Sequence, residues 1–357
     1  MPKDVQSIAA NCNLFLDRQK PRTVRDQVQE IADSPLSLIR SDGYGRGGFL
    51  AEFEAEIATL LGKEAAVFMP SGTMAQQIAL RIWSDELGSR KVAFHPTCHL
   101  EIHEHKAYSE LHRLEAVLVG ESDRLFTVDD LSTLSENIST LLIELPQREI
   151  GGQLPSWEEL NEICHFAQSR GMKLHMDGAR LWECQPFFDR TYAEISAPFD
   201  SVYVSFYKVL NGLPGAALAG PADFIAEARI WQRRHGGNLQ QQSPSAISAK
   251  LGLDRYLPRI PSYVQKAKEI AEALSHVESI RVVPENPPTN MMHLYLEGDP
   301  ERLLNASLSL AGETGVGLFF RIGAEGKLEI SIGDSALEIP TKEIKRLFAE
   351  VIRRAGE

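Results

Sequence analysis

Lys208 closes the apolar run Val202-Tyr203-Val204-Ser205-Phe206-Tyr207, and Asp177 closes Lys173-Leu174-His175-Met176. Upstream of both, Ser71-Gly72-Thr73 turns between a strand-like run, residues 65–69, and a helical period over residues 74–83. An amine can hold an aldehyde as a Schiff base, a carboxylate can keep a pyridine nitrogen protonated, and a helix N-terminus presents N–H groups to a phosphate. Those are the three requirements of pyridoxal phosphate, which accepts electrons from a bond broken at the Cα of an amino acid.

Each residue alone also fits a plainer role. Ser71 or Thr73 would serve equally as a helix cap, Asp177 as the cap of the next helix, and Lys208 as an ordinary solvated lysine. Order along the chain favours the chemical reading. Asp177 ends a strand, where open α/β sheets place their ligands. Lys208 sits between an apolar strand and the turn-rich Asn211-Gly212-Leu213-Pro214-Gly215, where desolvation makes an amine nucleophilic.

The elements that must carry these groups are legible in outline. Val24, Val28 and Ile31 recur at helical spacing, and Phe49, Leu50, Phe53, Ile57, Leu60 and Leu61 predict a second helix ended by Gly62. Apolar runs at 92–94, 116–119, 141–143, 173–176 and 201–206 alternate with helical stretches, notably 157–169, which predicts a mostly parallel sheet covered by helices. Beyond residue 240 one long helix over 246–274 is expected, then extended runs at 280–283, 291–296, 317–322 and 328–332 and a closing helix, a smaller α+β domain.

At 357 residues, with 37 basic against 49 acidic side chains and a net charge of -12, the chain is large enough for two packed domains and too acidic to favour nucleic acid or anionic membranes. The four cysteines form no CxxC pair and no apolar run reaches membrane-spanning length, so reduced thiols in a cytoplasmic protein are expected. His99 and His103 share a helical face, with His105 close by, but no HExxH and no third ligand accompany them, and no metal is expected. The glycine-rich run 43–48 follows no strand and reads as a loop before the Phe49 helix.

Taken together, residues 62–74 (GKEAAVFMPSGTM), His175-Met176-Asp177-Gly178-Ala179-Arg180-Leu181 and Ser205-Phe206-Tyr207-Lys208 resemble the threonine aldolase and β-eliminating lyase family, over about residues 44–290. The resemblance implies fold-type I architecture: an N-terminal segment (1–45) contributing to a dimer and its active site, a large domain with a seven-stranded, mostly parallel sheet (46–240), and a small C-terminal domain (241–357). It makes Lys208 the Schiff-base lysine, Asp177 the partner of the pyridine nitrogen, Ser71, Gly72 and Thr73 phosphate contacts, and His99, after Pro96-Thr97-Cys98, a group stacked on the cofactor, with Glu104 at the same helix start. Arg180 would bind the substrate carboxylate beside the cofactor. The implied oligomer is a homodimer or a dimer of dimers.

Several positions depart from the family's pattern. Gln147 stands where a second active-site histidine is usual, Gln240 where a phosphate-binding arginine is usual, and Leu328-Glu329-Ile330 where a second carboxylate-binding arginine is usual. Arg321 is the candidate replacement for the last, with Tyr44 and Gln147 as further substrate contacts. The expected reaction is retro-aldol cleavage of a β-hydroxy-α-amino acid, with His99 through water or Tyr44 as proton carrier. Elimination, dehydration or transamination on the same cofactor, and an inactive homologue that only binds, are the alternatives.

Overall fold

The computed structural model describes residues 3–357 and divides into two compact units. The larger comprises Thr23–Glu149 and Leu154–Pro258; the smaller comprises the chain up to Arg22, Ile150–Gln153 and Arg259–Glu357.

The larger unit is built on a seven-stranded sheet, ordered Ala65–Met69, Ala216–Gly220, Ser201–Ser205, Lys173–Gly178, Ile138–Glu144, Lys91–Phe94, Glu115–Leu118. Five neighbouring strands run parallel, and Ala216–Gly220 is antiparallel to both of its neighbours. The chain leaves Lys91–Phe94 toward one edge and Ile138–Glu144 toward the other, so the strand order reverses between these two. At such a reversal, connections diverge above the carboxyl ends of the strands and leave a crevice. The sequence motifs fall at those ends: His99 follows Lys91–Phe94, Glu144 ends the next strand, and Asp177 lies near the end of the one after it.

Packing fixes this sheet from both faces. Helix Gly48–Leu60 buries Phe49, Leu50, Phe53 and Ile57, as its apolar spacing predicts. Phe53, Phe68 and Phe206 meet with ring centroids 5.3 to 6.3 Å apart, all fully buried. Burial of each such ring contributes roughly 1.5–3 kcal/mol. The helix ends at Gly62, whose φ of 63° is left-handed and where an added Cβ would stand 2.9 Å from Ala193 Cβ.

The smaller unit holds a three-stranded antiparallel sheet, Lys327–Ser331, Met291–Leu296 and Ile280–Val283, and a two-residue parallel pair of Leu14–Phe15 with Val316–Gly317. Helices Ile260–Ser275, Pro300–Thr314 and Thr341–Gly356 complete it.

Four expectations change. The helix over 246–274 is two helices, Ser243–Tyr256 and Ile260–Ser275, separated by a 3₁₀ turn at Leu257–Arg259. Pro258 has no N–H to continue the ladder, and the unit boundary falls at that break rather than at residue 240. Residues 23–45 belong to the larger unit instead of forming a separate segment with the N-terminus. Asp42 shows why: its Oδ1 accepts from the N–H groups of Gln242 and Ser243 at 2.8 Å each and from Ser243 Oγ at 2.6 Å. Burial alone would raise the pKa of Asp42, but these hydrogen bonds outweigh it and hold the group below the usual carboxylate range. The extended run expected at 317–322 is a strand only at Val316–Gly317, because its two-residue partner ends at Phe15.

Candidate active site

Strand Lys173–Gly178 points His175 and Asp177 to one face, two residues apart, and both are buried. Asp177 Oδ1 accepts from the Ala179 N–H at 3.0 Å, and Oδ2 accepts from Gln76 Nε2. Burial raises the pKa of Asp177, while Lys208 and the hydrogen bonds act against that rise.

Lys208 lies in the loop after Ser201–Ser205. That loop is pinned by Asn211 N–H to Lys208 O at 3.0 Å, Gly212 N–H to Phe206 O at 2.9 Å and Leu213 N–H to Ser248 Oγ at 2.9 Å. Ser205 Oγ donates to Ala179 O at 2.7 Å, which ties the two chemical loops together. Burial, reinforced by the Arg180 guanidinium, pushes the Lys208 amine down to about 8, against the pull of Asp177, Glu144 and Glu183. About a tenth of it is therefore the free amine at neutral pH, far more than for an ordinary lysine.

Ser71 is the N-cap of helix Gly72–Leu87 and accepts from Met74 N–H at 3.3 Å. The cap and the phosphate-cradle readings coincide here: the serine fixes the first turn, and the N–H groups of Gly72 and Thr73 lie ahead of the first intrahelical bond. Gly72 has no alternative, since any Cβ would collide with the Tyr203 phenol.

Thr73 Oγ1 donates to Glu104 Oε1 at 3.0 Å, and His99 Nδ1 lies 3.0 Å from the same oxygen. His99 starts a four-residue helix, and Glu104 stands two residues past its end with the carboxylate turned back. That hydrogen bond raises the His99 pKa against burial. Across the crevice, the His99 N–H lies 3.4 Å from Glu144 Oε2. Glu144 is itself pushed up to about 7 by burial and by Asp177.

Gln147 is buried, its Nε2 3.2 Å from Thr97 Oγ1 and 3.4 Å from Glu144 Oε2. Arg180 is also buried, with Nη1 3.8 Å from Glu183 Oε1. Glu183 is fully buried, and burial pushes it to about 7. Tyr44 sits apart from this cluster on the glycine-rich loop, exposed, its N–H on Gln240 O at 2.9 Å. Arg321 belongs to the smaller unit and is exposed, its charge acting on Asp17. His103 Nε2 lies 2.8 Å from Glu149 Oε1, and its ring centroid stands 5.0 Å from that of His99.

Sequence reasoning passed over Gln76, Trp83, His175, Ser201 and Glu183. The signal for three of them was present: His175 stands two residues before Asp177 on a buried strand, and Gln76 and Trp83 are seven apart on helix Gly72–Leu87, while Ser201 starts the neighbouring strand.

The donor set fits pyridoxal phosphate: a desolvated amine, a carboxylate held by N–H donors, and an N-terminal helical turn kept open by a glycine. Comparison with known proteins decides the family. Residues 39–297 match the family model described as β-eliminating lyase. The chain belongs to the threonine aldolase/β-eliminating lyase family. It is 30% identical to low-specificity L-threonine aldolase 1 of Arabidopsis thaliana, over 70% of this chain and 72% of that one. A Listeria monocytogenes structure named as a candidate L-allo-threonine aldolase is 41% identical over 98% of this chain and 99% of its own, with a TM-score of 0.93. An Exiguobacterium structure, named as a candidate aromatic amino acid β-eliminating lyase/threonine aldolase, is 40% identical over 99% and 100%, also at 0.93. The fold-type I architecture expected from the sequence is thereby shown.

Proposed function

We propose that this family member binds pyridoxal phosphate and cleaves the Cα–Cβ bond of a β-hydroxy-α-amino acid of the threonine type, releasing glycine and an aldehyde. The observation that carries the reading is the charge cluster of buried Asp177 with half-buried Lys208 and Glu144 beside the capped turn at Ser71-Gly72-Thr73, in which the amine lowers the proton affinity of both carboxylates and they raise that of the amine.

Pyridoxal phosphate, when bound, supplies the sink for the electron pair released at Cα. Lys208 would hold its aldehyde and yield that place to the substrate amine. Asp177 would keep the pyridine nitrogen protonated, and Ser71, Gly72 and Thr73 would take the phosphate. Arg180 would grip the substrate carboxylate through its planar fork. His99 is the proton acceptor for the β-hydroxyl: Glu104 holds Nδ1, fixes the tautomer and makes the ring more basic. Gln147 carries no proton at neutral pH and is assigned to hydrogen bonding alone.

Tyr44 is assigned to contact with a neighbouring copy in a homo-oligomer. A cytoplasmic location agrees with four free, buried cysteines, and no helix among the described residues is long and apolar enough to cross a membrane. Gln147 in the histidine's place keeps β-elimination as the second reading. Equilibrium binding of pyridoxal phosphate to wild type and Lys208→Ala tests the cofactor assignment: loss of the near-visible band in the variant supports it, and an identical band in both refutes it.

A further inference from the structure

Behind Asp177 runs a buried chain of polar groups that the proposed chemistry does not use. Trp83 Nε1 donates to Ser201 Oγ at 2.8 Å, Ser201 Oγ lies 2.8 Å from His175 Nδ1, His175 Nε2 lies 3.0 Å from Gln76 Oε1, and Gln76 Nε2 donates to Asp177 Oδ2. Every member has a relative exposure of 2% or less. The indole stacks on Phe224 at 4.4 Å, and the Lys173 ammonium stands 4.4 Å from its ring centroid.

Two proton arrangements of this chain are possible. With Asp177 ionised, the Gln76 amide donates to it and its Oε1 accepts from His175 Nε2–H. The neutral ring then accepts at Nδ1 from the Ser201 hydroxyl, whose oxygen accepts from Trp83. Every group is satisfied. When Asp177 is protonated on Oδ2 and donates to Gln76 Oε1, the amide turned over, each step reverses: His175 Nδ1–H points at Ser201, whose oxygen already receives Trp83, and the hydroxyl proton loses its acceptor. The Ser201 carbonyl beside the ring is the partner a reversed histidine would turn to. Indole nitrogen only donates, so the far end of the chain has one allowed direction.

We infer that Gln76, His175, Ser201 and Trp83 form a one-way hydrogen-bond relay whose role is to hold Asp177 as a carboxylate, with Trp83 setting its direction from four hydrogen bonds away. These are positioning residues. Their consequence for catalysis rests on the cofactor reading above, whereas the relay itself is a property of the protein without cofactor.

The test follows the Asp177 carboxyl carbon by NMR in 13C-aspartate-labelled apoprotein, assigned by its loss in Asp177→Asn, across a pH titration. In Gln76→Leu the midpoint rises by about one pH unit or more, a tenfold gain in proton affinity. Trp83→Phe, which retains the aromatic stack, and Ser201→Ala move it in the same direction by less. Midpoints unchanged in folded Trp83→Phe and Ser201→Ala overturn the relay, and these two decide the matter should Gln76→Leu not fold. In the holoprotein, Gln76→Leu weakens pyridoxal phosphate binding about tenfold. Wild-type protein that binds no pyridoxal phosphate sinks the cofactor reading and leaves the titration result intact.

Discussion

Thr73 and His99 share one oxygen: Glu104 Oε1 lies 3.0 Å from the hydroxyl of the first and 3.0 Å from Nδ1 of the second. One carboxylate thus couples the helix turn proposed for phosphate to the histidine proposed as proton acceptor. The charge-assisted bond orients the ring and raises its basicity at once.

Glu104→Gln removes that coupling. The His99 pKa is raised in the folded chain above its ordinary 6.5, so the pair stabilises fully below 6.5 and loses its effect as pH rises through the folded value. The variant therefore loses more stability at pH 5.5 than at pH 8.5, by under about 1 kcal/mol because the ring is partly solvated. Its histidine resonance titrates at lower pH than in wild type. NMR titration of the ring together with urea unfolding at the two pH values measures both; an unmoved midpoint contradicts the assignment.

Gly72→Ala would ordinarily favour a helix by about 1 kcal/mol, yet here the new methyl meets the Tyr203 phenol. The expected result is a loss of roughly 1–3 kcal/mol, the usual cost of overpacking. Tyr203→Val in the same chain recovers part of that loss, which a double-mutant cycle in chemical denaturation reads as a favourable coupling.

Glu183 is raised to about 7 from an ordinary 4.5, so the native state binds its proton more tightly than the unfolded chain. Its contribution to stability falls as pH rises from 4.5 to 7. Glu183→Gln lacks that fall. Relative to wild type the variant gains stability on going from pH 4.5 to pH 8, by an amount on the order of 2–3 kcal/mol. Parallel denaturation curves of the two apoproteins across this range would contradict the buried charge.

Much of this was legible in order and spacing. Strand ends carrying Asp177 and Lys208, and a glycine turn before a helix, identify a sheet with its chemistry at one edge, because alternating apolar runs and turn residues act locally. The break at Pro258 was also local, but the apolar period continues on both sides and hides it. Tertiary pairing accounts for the rest. Glu104 looks like part of a helix start and serves instead as a bridge, while Gln76 and Trp83 read as ordinary helix positions until strand His175 lies beneath them. Asp42 is 200 residues from the helix end it caps, and nothing near it in the chain announces that partner.

Lys208→Ala leaves Asp177, Glu144 and Glu183 without the cation that lowers their proton affinity. The variant loses activity by roughly 10³-fold or more and, in the presence of pyridoxal phosphate, loses the near-visible band. Absorption spectra and turnover of the same preparation check both together, and retained colour with retained turnover would move the anchor to another amine.

On the proposed function, the Lys208–Asp177 cluster cleaves Cα–Cβ while His99 takes the hydroxyl proton. Wild-type protein loaded with pyridoxal phosphate and given threonine or allo-threonine should release glycine and acetaldehyde in equal amounts, measured by amino acid analysis and a coupled aldehyde assay. Ammonia and 2-oxobutyrate in place of glycine and aldehyde would contradict it and assign the site to elimination.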